Sequence, residues 1–245
     1  MKSRRPNASE WVEELMWEDV KAIKSARLLS YDAGRFPFAA IAASVFKVRE
    51  LSLLHEDWIL YNRRRGRQVT LGYADNLRLR SLLQGLKDDA LFYRVYHRFV
   101  REVVASAFGR SISYSSHPKM RVHLAGTPTV SKWHRDADIT GRHEQINVWV
   151  PFTNTYEGNS LWIESDYGRG DYMAVPVGYG QALIFDGGFL SHGTVANETD
   201  STRVSLDFRF SVRGDPLPEA ARFVLDGRPD KLSTAPPSKN GRAEA

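Results

Sequence analysis

Residues 202–210 read Thr202-Arg203-Val204-Ser205-Leu206-Asp207-Phe208-Arg209-Phe210. Polar and apolar side chains alternate without a break from Arg203 to Phe210. Successive side chains of a strand point to opposite faces. Val204, Leu206, Phe208 and Phe210 therefore share one face, and Arg203, Ser205, Asp207 and Arg209 share the other. A fully polar face normally meets water. Here it is read instead as lining a wet cavity, with the apolar face packed on helices from the first third of the chain.

Working outward, the same texture begins at Ser111. Short runs of β-branched and aromatic residues alternate with Gly, Pro, Asn and Asp. Strands are expected near Met120–Leu124, Lys132–Asp136, Gln145–Phe152, Ser160–Glu164, Asp171–Val175, Ala182–Phe185, His192–Val195 and Arg203–Val212. About eight short strands imply a jelly-roll or cupin-like barrel. The class is mainly β with N-terminal helices packed on one sheet.

The first third reads as helical. Asn7 or Ser9 is a candidate cap for a helix carrying Trp11, Leu15, Met16, Val20 and Ile23 inward. Pro37 suits the first turn of a second run, with Ile41, Val45, Phe46 and Leu51 facing the core. Asp75–Phe108 is expected to hold two helices broken near Gly85–Asp88, with Leu91, Val95, Phe99, Val103 and Val104 as the buried stripe. The run Asn62-Arg63-Arg64-Arg65-Gly66-Arg67 reads as a solvated loop, or as a clamp for a phosphate or an acidic carrier. Pro218–Leu225 is expected to be a short helix, and Asp226–Ala245, rich in Pro, Ser, Gly and charge, a disordered tail. The domain plan is 1–110 helical, 111–215 β-core with the site, and 216–245 a C-terminal segment, forming one functional domain.

At 245 residues the chain is long enough for a core that needs no staples. It has no cysteine, which excludes disulfides, zinc–thiolate sites and thiol catalysis and suits a reducing cytoplasm. No secretory signal and no membrane-length apolar run is read. A net charge of +5 favours anionic partners mildly and is too small to name nucleic acid. The oligomeric state is open.

The chemistry is read at Trp133-His134-Arg135-Asp136 and the distant His192. Two histidines and one carboxylate form the facial three-ligand set of non-haem Fe(II), leaving about three of six positions for a two-toothed co-substrate and O₂. On a strand, His134 and Asp136 point to one side and can meet one ion. Arg203 follows His192 by eleven positions and is placed to reach toward the same metal. Its guanidinium can grip a carboxylate through two parallel hydrogen bonds, as a dicarboxylate co-substrate requires.

These residues resemble the Fe(II)/2-oxoglutarate-dependent oxygenases. More narrowly, WHRD, the INVWVP strand, NSLWIES, the YG-Q-ALIFDG run and TRVSLDFR are similar to the phytanoyl-CoA-dioxygenase-like enzymes grouped with a streptomycin-biosynthesis oxygenase. The resemblance runs from about Arg121 to Val212. It implies a double-stranded β-helix with Fe(II) held by His134, Asp136 and His192. It also implies 2-oxoglutarate paired with Arg203, with Ser205 beside it. The implied reaction spends O₂ and 2-oxoglutarate, releases succinate and CO₂, and hydroxylates or otherwise oxidises a C–H bond of a small polar metabolite of antibiotic biosynthesis. Halogenases of this superfamily lack the carboxylate ligand, so Asp136 argues against chlorination.

Other residues carry two readings. Asn147 is a candidate for a co-substrate or substrate oxygen, or an amide satisfying backbone. Trp133, Trp149 and Trp162 either wall a substrate pocket or pack the core. Arg209 on the polar face is a candidate substrate contact. Glu164, with Asp166 and Tyr167, is a candidate for a cationic or polyhydroxylated substrate. His123 is the reserve metal ligand, Arg135 is expected to face away from the iron, and His55 and His97 are read as structural. Two other function classes fit less of this pattern. A cupin-type isomerase or hydrolase has no use for Arg203, and a non-catalytic binding module rests only on the basic run 62–67.

Overall fold

The computed structural model describes residues 17–20, 22–67, 69–109, 111–212, 219–225 and 228. In chain order the first elements are β1 (Trp17–Asp19), β2 (Ala26–Ser30), α1 (Phe38–Phe46), α2 (Leu54–Arg63), α3 (Tyr73–Gln84), α4 (Leu91–Phe99) and α5 (Ala105–Ala107). There follow β3 (Ile112–Tyr114), β4 (Lys119–His123), α6 (Asp136–Thr140), β5 (Ile146–Pro151), β6 (Leu161–Ile163) and β7 (Met173–Val175). The last are β8 (Gln181–Phe185), β9 (His192–Gly193), β10 (Arg203–Val212) and α7 (Glu219–Leu225).

The alternating stretch is the hub. β10 pairs antiparallel with β5 along one edge and with β4 and then β3 along the other. Beyond β5 lie β8, β2 and β1, completing a seven-stranded antiparallel sheet. A second antiparallel sheet has the order β7-β6-β9.

Alternation decides which core each strand serves. Val204, Leu206, Phe208 and Phe210 are buried in the larger apolar cluster with α1, α3 and α4. Phe208 meets the edge of Tyr96 with ring centroids 5.3 Å apart, and Phe210 meets Phe108 at 4.8 Å. On β8, Ala182 and Ile184 join that cluster, while Leu183 and Phe185 join a smaller one with Trp149, Leu161, Ile163 and Val175. The helices thus cover one face of the large sheet and the small sheet covers the other. β5 is buried at all six positions because both of its faces are covered. Truncating Phe208 to alanine removes a core ring, a change that costs about 3–5 kcal/mol.

Some expectations are corrected. Val20 and Ile23 lie in no helix. Trp17–Asp19 and Ala26–Ser30 form a hairpin whose second strand pairs with β8. The turn uses a left-handed Ser25 at φ 56°, and Ile23, Ala26 and Leu28 bury on the smaller cluster. Residues 1–16 and the expected cap of that helix lie outside the described residues. The strand expected at Lys132–Asp136 shrinks to one bridge between His134 and His192, and Asp136 opens α6. Leu91 is 53% exposed, so the inward stripe of α4 starts at Phe92. The basic run begins inside α2, which ends at Arg63. α7 covers most of the expected C-terminal helix; of the expected tail only Arg228 is among the described residues.

Candidate metal centre

His134 and His192 face each other across two backbone hydrogen bonds, His134 N to His192 O and the reverse, both 3.0 Å. Their rings lie 4.4 Å apart. In each, Nδ1 meets the carbonyl two residues back: Lys132 O at 2.7 Å and Leu190 O at 3.0 Å. A carbonyl oxygen only accepts, so each Nδ1 carries the proton and each Nε2 keeps its lone pair. That arrangement orients a metal-binding imidazole.

Asp136 reaches the same point because residues 134 and 135 are extended, Arg135 at φ −109° and ψ 136°. Its backbone N–H donates to Gly187 O at 2.8 Å, and Ala137 N–H to Gly188 O at 3.2 Å. The loop that leads to His192 therefore also fixes Asp136. Asp136 Oδ1 stands 3.5 Å from His134 Nε2. One ligand atom from each of His134, Asp136 and His192 lies within 4.8 Å of the others. Gly193 lets Trp133 close over the bridge: a Cβ there would meet the Trp133 ring at 2.8 Å.

The electrostatics suit a cation. Burial opposes the charge on Asp136, yet the neighbouring His134 and His192 and hydrogen bonds from Asn147 and Arg209 outweigh it and hold the carboxyl well below the usual carboxylate range. Burial and the neighbouring His134 lower His192 to about 4, so it is neutral near pH 7. Two imidazole nitrogens and one anionic carboxylate are the donor set that a hard-to-borderline divalent ion such as Fe(II) takes.

Arg203 comes from β10, opposite His123 on β4. It is 2% exposed, and its Nη1 donates to Asn159 O at 2.9 Å and Ser160 O at 3.0 Å. Its Nε has no hydrogen-bond partner, and it forms no ion pair among the described residues. Burial, then Arg121, lower it to about 9. It opens on a narrow cavity lined by Arg121, Ser131, Asn147, Trp149, Phe185, Thr194, Arg203 and Asp207. Ser205 is buried beside it and accepts from Trp149 Nε1 at 3.2 Å.

The remaining candidates separate. Asn147 donates from Nδ2 to Asp136 Oδ2 at 2.6 Å, while its Oδ1 is buried without a partner. Arg209 also turns to Asp136 rather than outward, with Nε on Oδ2 at 2.6 Å and Nη2 on Oδ1 at 2.5 Å. Trp149 walls the narrow cavity, whereas Trp162 lies on β6 beside Gly193 and donates to Glu157 O at 3.2 Å. Glu164 is 1% exposed and accepts from the backbone of Ser191 and Gly170. It fixes the loop before His192. Asp166 pairs with Lys24, and Tyr167 donates to Asp186. His123 is buried on Pro128 O, outside the three-ligand group. Arg135 turns to Asp138.

Sequence reasoning missed the Arg121–Asp207 pair at 3.0 Å, which lines the cavity. Opposite charges on the polar faces of two strands were the available signal. It also missed Arg228, whose guanidinium holds the buried Asp186 at 2.6 and 2.8 Å. No local signal links residues 42 positions apart.

No protein-family model matches the chain. It is 33% identical over 142 residues to the streptomycin biosynthesis protein StrG of Streptomyces griseus, a match covering 58% of this chain and 65% of that protein. The match thus spans just under two thirds of that relative. Among solved structures, AviO1 from Streptomyces viridochromogenes Tue57 aligns with a TM-score of 0.50 at 13% identity, over 88% of this chain and 99% of that one. That likeness is one of fold. CytC3 with Fe(II) and alpha-ketoglutarate aligns at a TM-score of 0.45 and 14% identity, over 85% of this chain and 77% of that one.

Proposed function

We propose that the chain is an Fe(II)- and 2-oxoglutarate-dependent oxygenase of a small polar metabolite, with the paired sheets forming a double-stranded β-helix. One observation carries the reading. Two imidazoles and a carboxylate converge, and a narrow cavity lined by Asn147, which donates to Asp136, and by Phe185, whose ring meets His192, also takes in the buried Arg203 guanidinium, which has no ion-pair partner among the described residues. A buried guanidinium without a carboxylate partner is costly, and a ligand carboxylate would complete it.

In this reading His134, Asp136 and His192 hold the iron, and Arg203 takes the far carboxylate of 2-oxoglutarate. Iron(II), when bound, supplies the redox chemistry that couples O₂, loss of CO₂ from 2-oxoglutarate and oxidation of a substrate C–H bond. For hydroxylation the balance is substrate C–H plus 2-oxoglutarate plus O₂ giving substrate C–OH, succinate and CO₂. The chain's own share is geometric. The carbonyls of Lys132 and Leu190 aim the imidazoles. Trp149 and Phe185 line the cavity that Arg203 shares. Similarity to StrG supports a substrate from antibiotic biosynthesis. The β-core carries the chemistry, with the hairpin β1–β2 added to its large sheet, and helices α1, α3 and α4 support it. The chain without cysteine suits the cytoplasm. Among the described residues no helix is long and apolar enough to cross a membrane.

The test supplies Fe(II), ascorbate, O₂ and 2-oxoglutarate with candidate intermediates and counts succinate. Succinate in step with oxidised product, lost in His134→Ala, is the expected result. Full turnover by His134→Ala, or isomerised product without succinate, would overturn the proposal.

A further inference from the structure

Asp136 receives more hydrogen bonds than a metal ligand needs. Oδ2 accepts from Arg209 Nε at 2.6 Å and from Asn147 Nδ2 at 2.6 Å. Oδ1 accepts from Arg209 Nη2 at 2.5 Å and is the oxygen that stands 3.5 Å from His134 Nε2. An ionised carboxylate offers about two lone-pair sites on each oxygen. Both sites on Oδ2 are filled, whereas Oδ1 keeps one on the side of the imidazoles.

The two donors come from a fixed place. Asn147 on β5 and Arg209 on β10 are direct cross-strand partners, so they stand side by side at one level of the sheet. Gly187 lies against Asn147 from the loop side. A Cβ at 187 would sit 2.3 Å from Asn147 Nδ2, and the Gly187 carbonyl already anchors the Asp136 backbone. The carboxylate cannot swing its second oxygen inward without breaking this set.

We infer that Arg209 and Asn147 clamp Asp136 so that it offers a metal one oxygen, keeping a coordination position open that a two-oxygen carboxylate would fill. The inference rests on the metal-site reading above and concerns positioning residues only. With both oxygens engaged, Asp136 and the histidines would occupy four of about six positions, leaving two. With one oxygen, three remain: two for a 2-keto acid and one more. The same guanidinium also compensates a carboxylate that is 2% exposed.

The test uses the whole chain loaded with Mn(II), whose bound waters are counted by water-proton relaxation. At saturating Mn(II), the wild type should carry about three exchangeable waters, and Arg209→Gln and Asn147→Ala about one fewer each. 2-Oxoglutarate should bind the Mn(II)-loaded variants about tenfold more weakly or worse. Arg209→Lys, which restores a charged donor, should return toward the wild type. Should Arg209→Gln fail to fold, Asn147→Ala and Gly187→Ala disturb Oδ2 while leaving the ion pair, and they carry the same expectation. Unchanged water count and 2-oxoglutarate affinity in variants that still bind Mn(II) would overturn the clamp while leaving the metal site standing. A wild type that binds no Mn(II), Co(II) or Fe(II) would instead overturn the metal site, and the clamp with it.

Discussion

Replacing Arg203 by methionine should strip the metal-loaded protein of its affinity for 2-oxoglutarate while leaving the metal in place. Arg203 is 2% exposed and has no carboxylate partner among the described residues. A ligand carboxylate at its head would form a buried, charge-assisted pair. Truncating one member of such a pair costs about 2–5 kcal/mol. Every 1.4 kcal/mol is a factor of ten, so the dissociation constant should rise between about thirty-fold and a few thousand-fold. The upper half of that range is expected, because the cavity is narrow and its dielectric low. The fold should lose stability as well. The carbonyls of Asn159 and Ser160 lose their donor, at about 1–3 kcal/mol each. Removing a cation whose burial already lowers it to about 9 offsets part of that loss. Calorimetric titration of 2-oxoglutarate into Ni(II)-loaded protein reads the affinity, and a parallel Ni(II) titration confirms the site. A dissociation constant within about threefold of wild type, with Ni(II) bound, would refute the role of Arg203.

Other outcomes follow from the same structure. His192→Ala should abolish stoichiometric metal binding, measured by calorimetry, since it removes one of three converging ligand atoms. His123 is held down to about 3 by burial and then by Arg203, below its ordinary 6.5. From about pH 6.5 down to 3 the unfolded chain takes a proton that the folded chain refuses, so stability falls as pH falls through that window. In denaturant titrations His123→Phe should flatten that slope, leaving the part due to His192. Arg228→Ala leaves Asp186 buried and unpaired, and should cost about 3–5 kcal/mol in the same assay. Gly193→Ala drives a Cβ into Trp133, which stacks on Tyr172 at 3.9 Å. It should cost about 1–3 kcal/mol and weaken metal binding.

What the sequence discloses depends on how local the cause is. The strand Arg203–Val212 was legible to the residue because period two is a property of neighbouring residues. The convergence of His134, Asp136 and His192 was legible because metal chemistry restricts the residue types. Its geometry was not. Asp136 opens a helix instead of ending a strand because the carbonyls of Gly187 and Gly188, some fifty residues on, capture its first N–H groups. Apolar spacing around Trp17–Ile23 fits a helix as well as a hairpin, and only the open edge of β8 decides between them. Arg209 was visible as a cation on the polar face, but its partner lies 73 residues away. Nothing local to Glu164 reveals that the backbone of Ser191 and Gly170 donates to it.

The account turns on where one ion and one diacid sit. Crystals prepared without oxygen in Fe(II) and 2-oxoglutarate, measured at the iron absorption edge, locate both. The account predicts a single anomalous peak among His134 Nε2, His192 Nε2 and Asp136 Oδ1, with 2-oxoglutarate running from it to the Arg203 guanidinium. Iron elsewhere, or a diacid that leaves Arg203 unpaired, would contradict it.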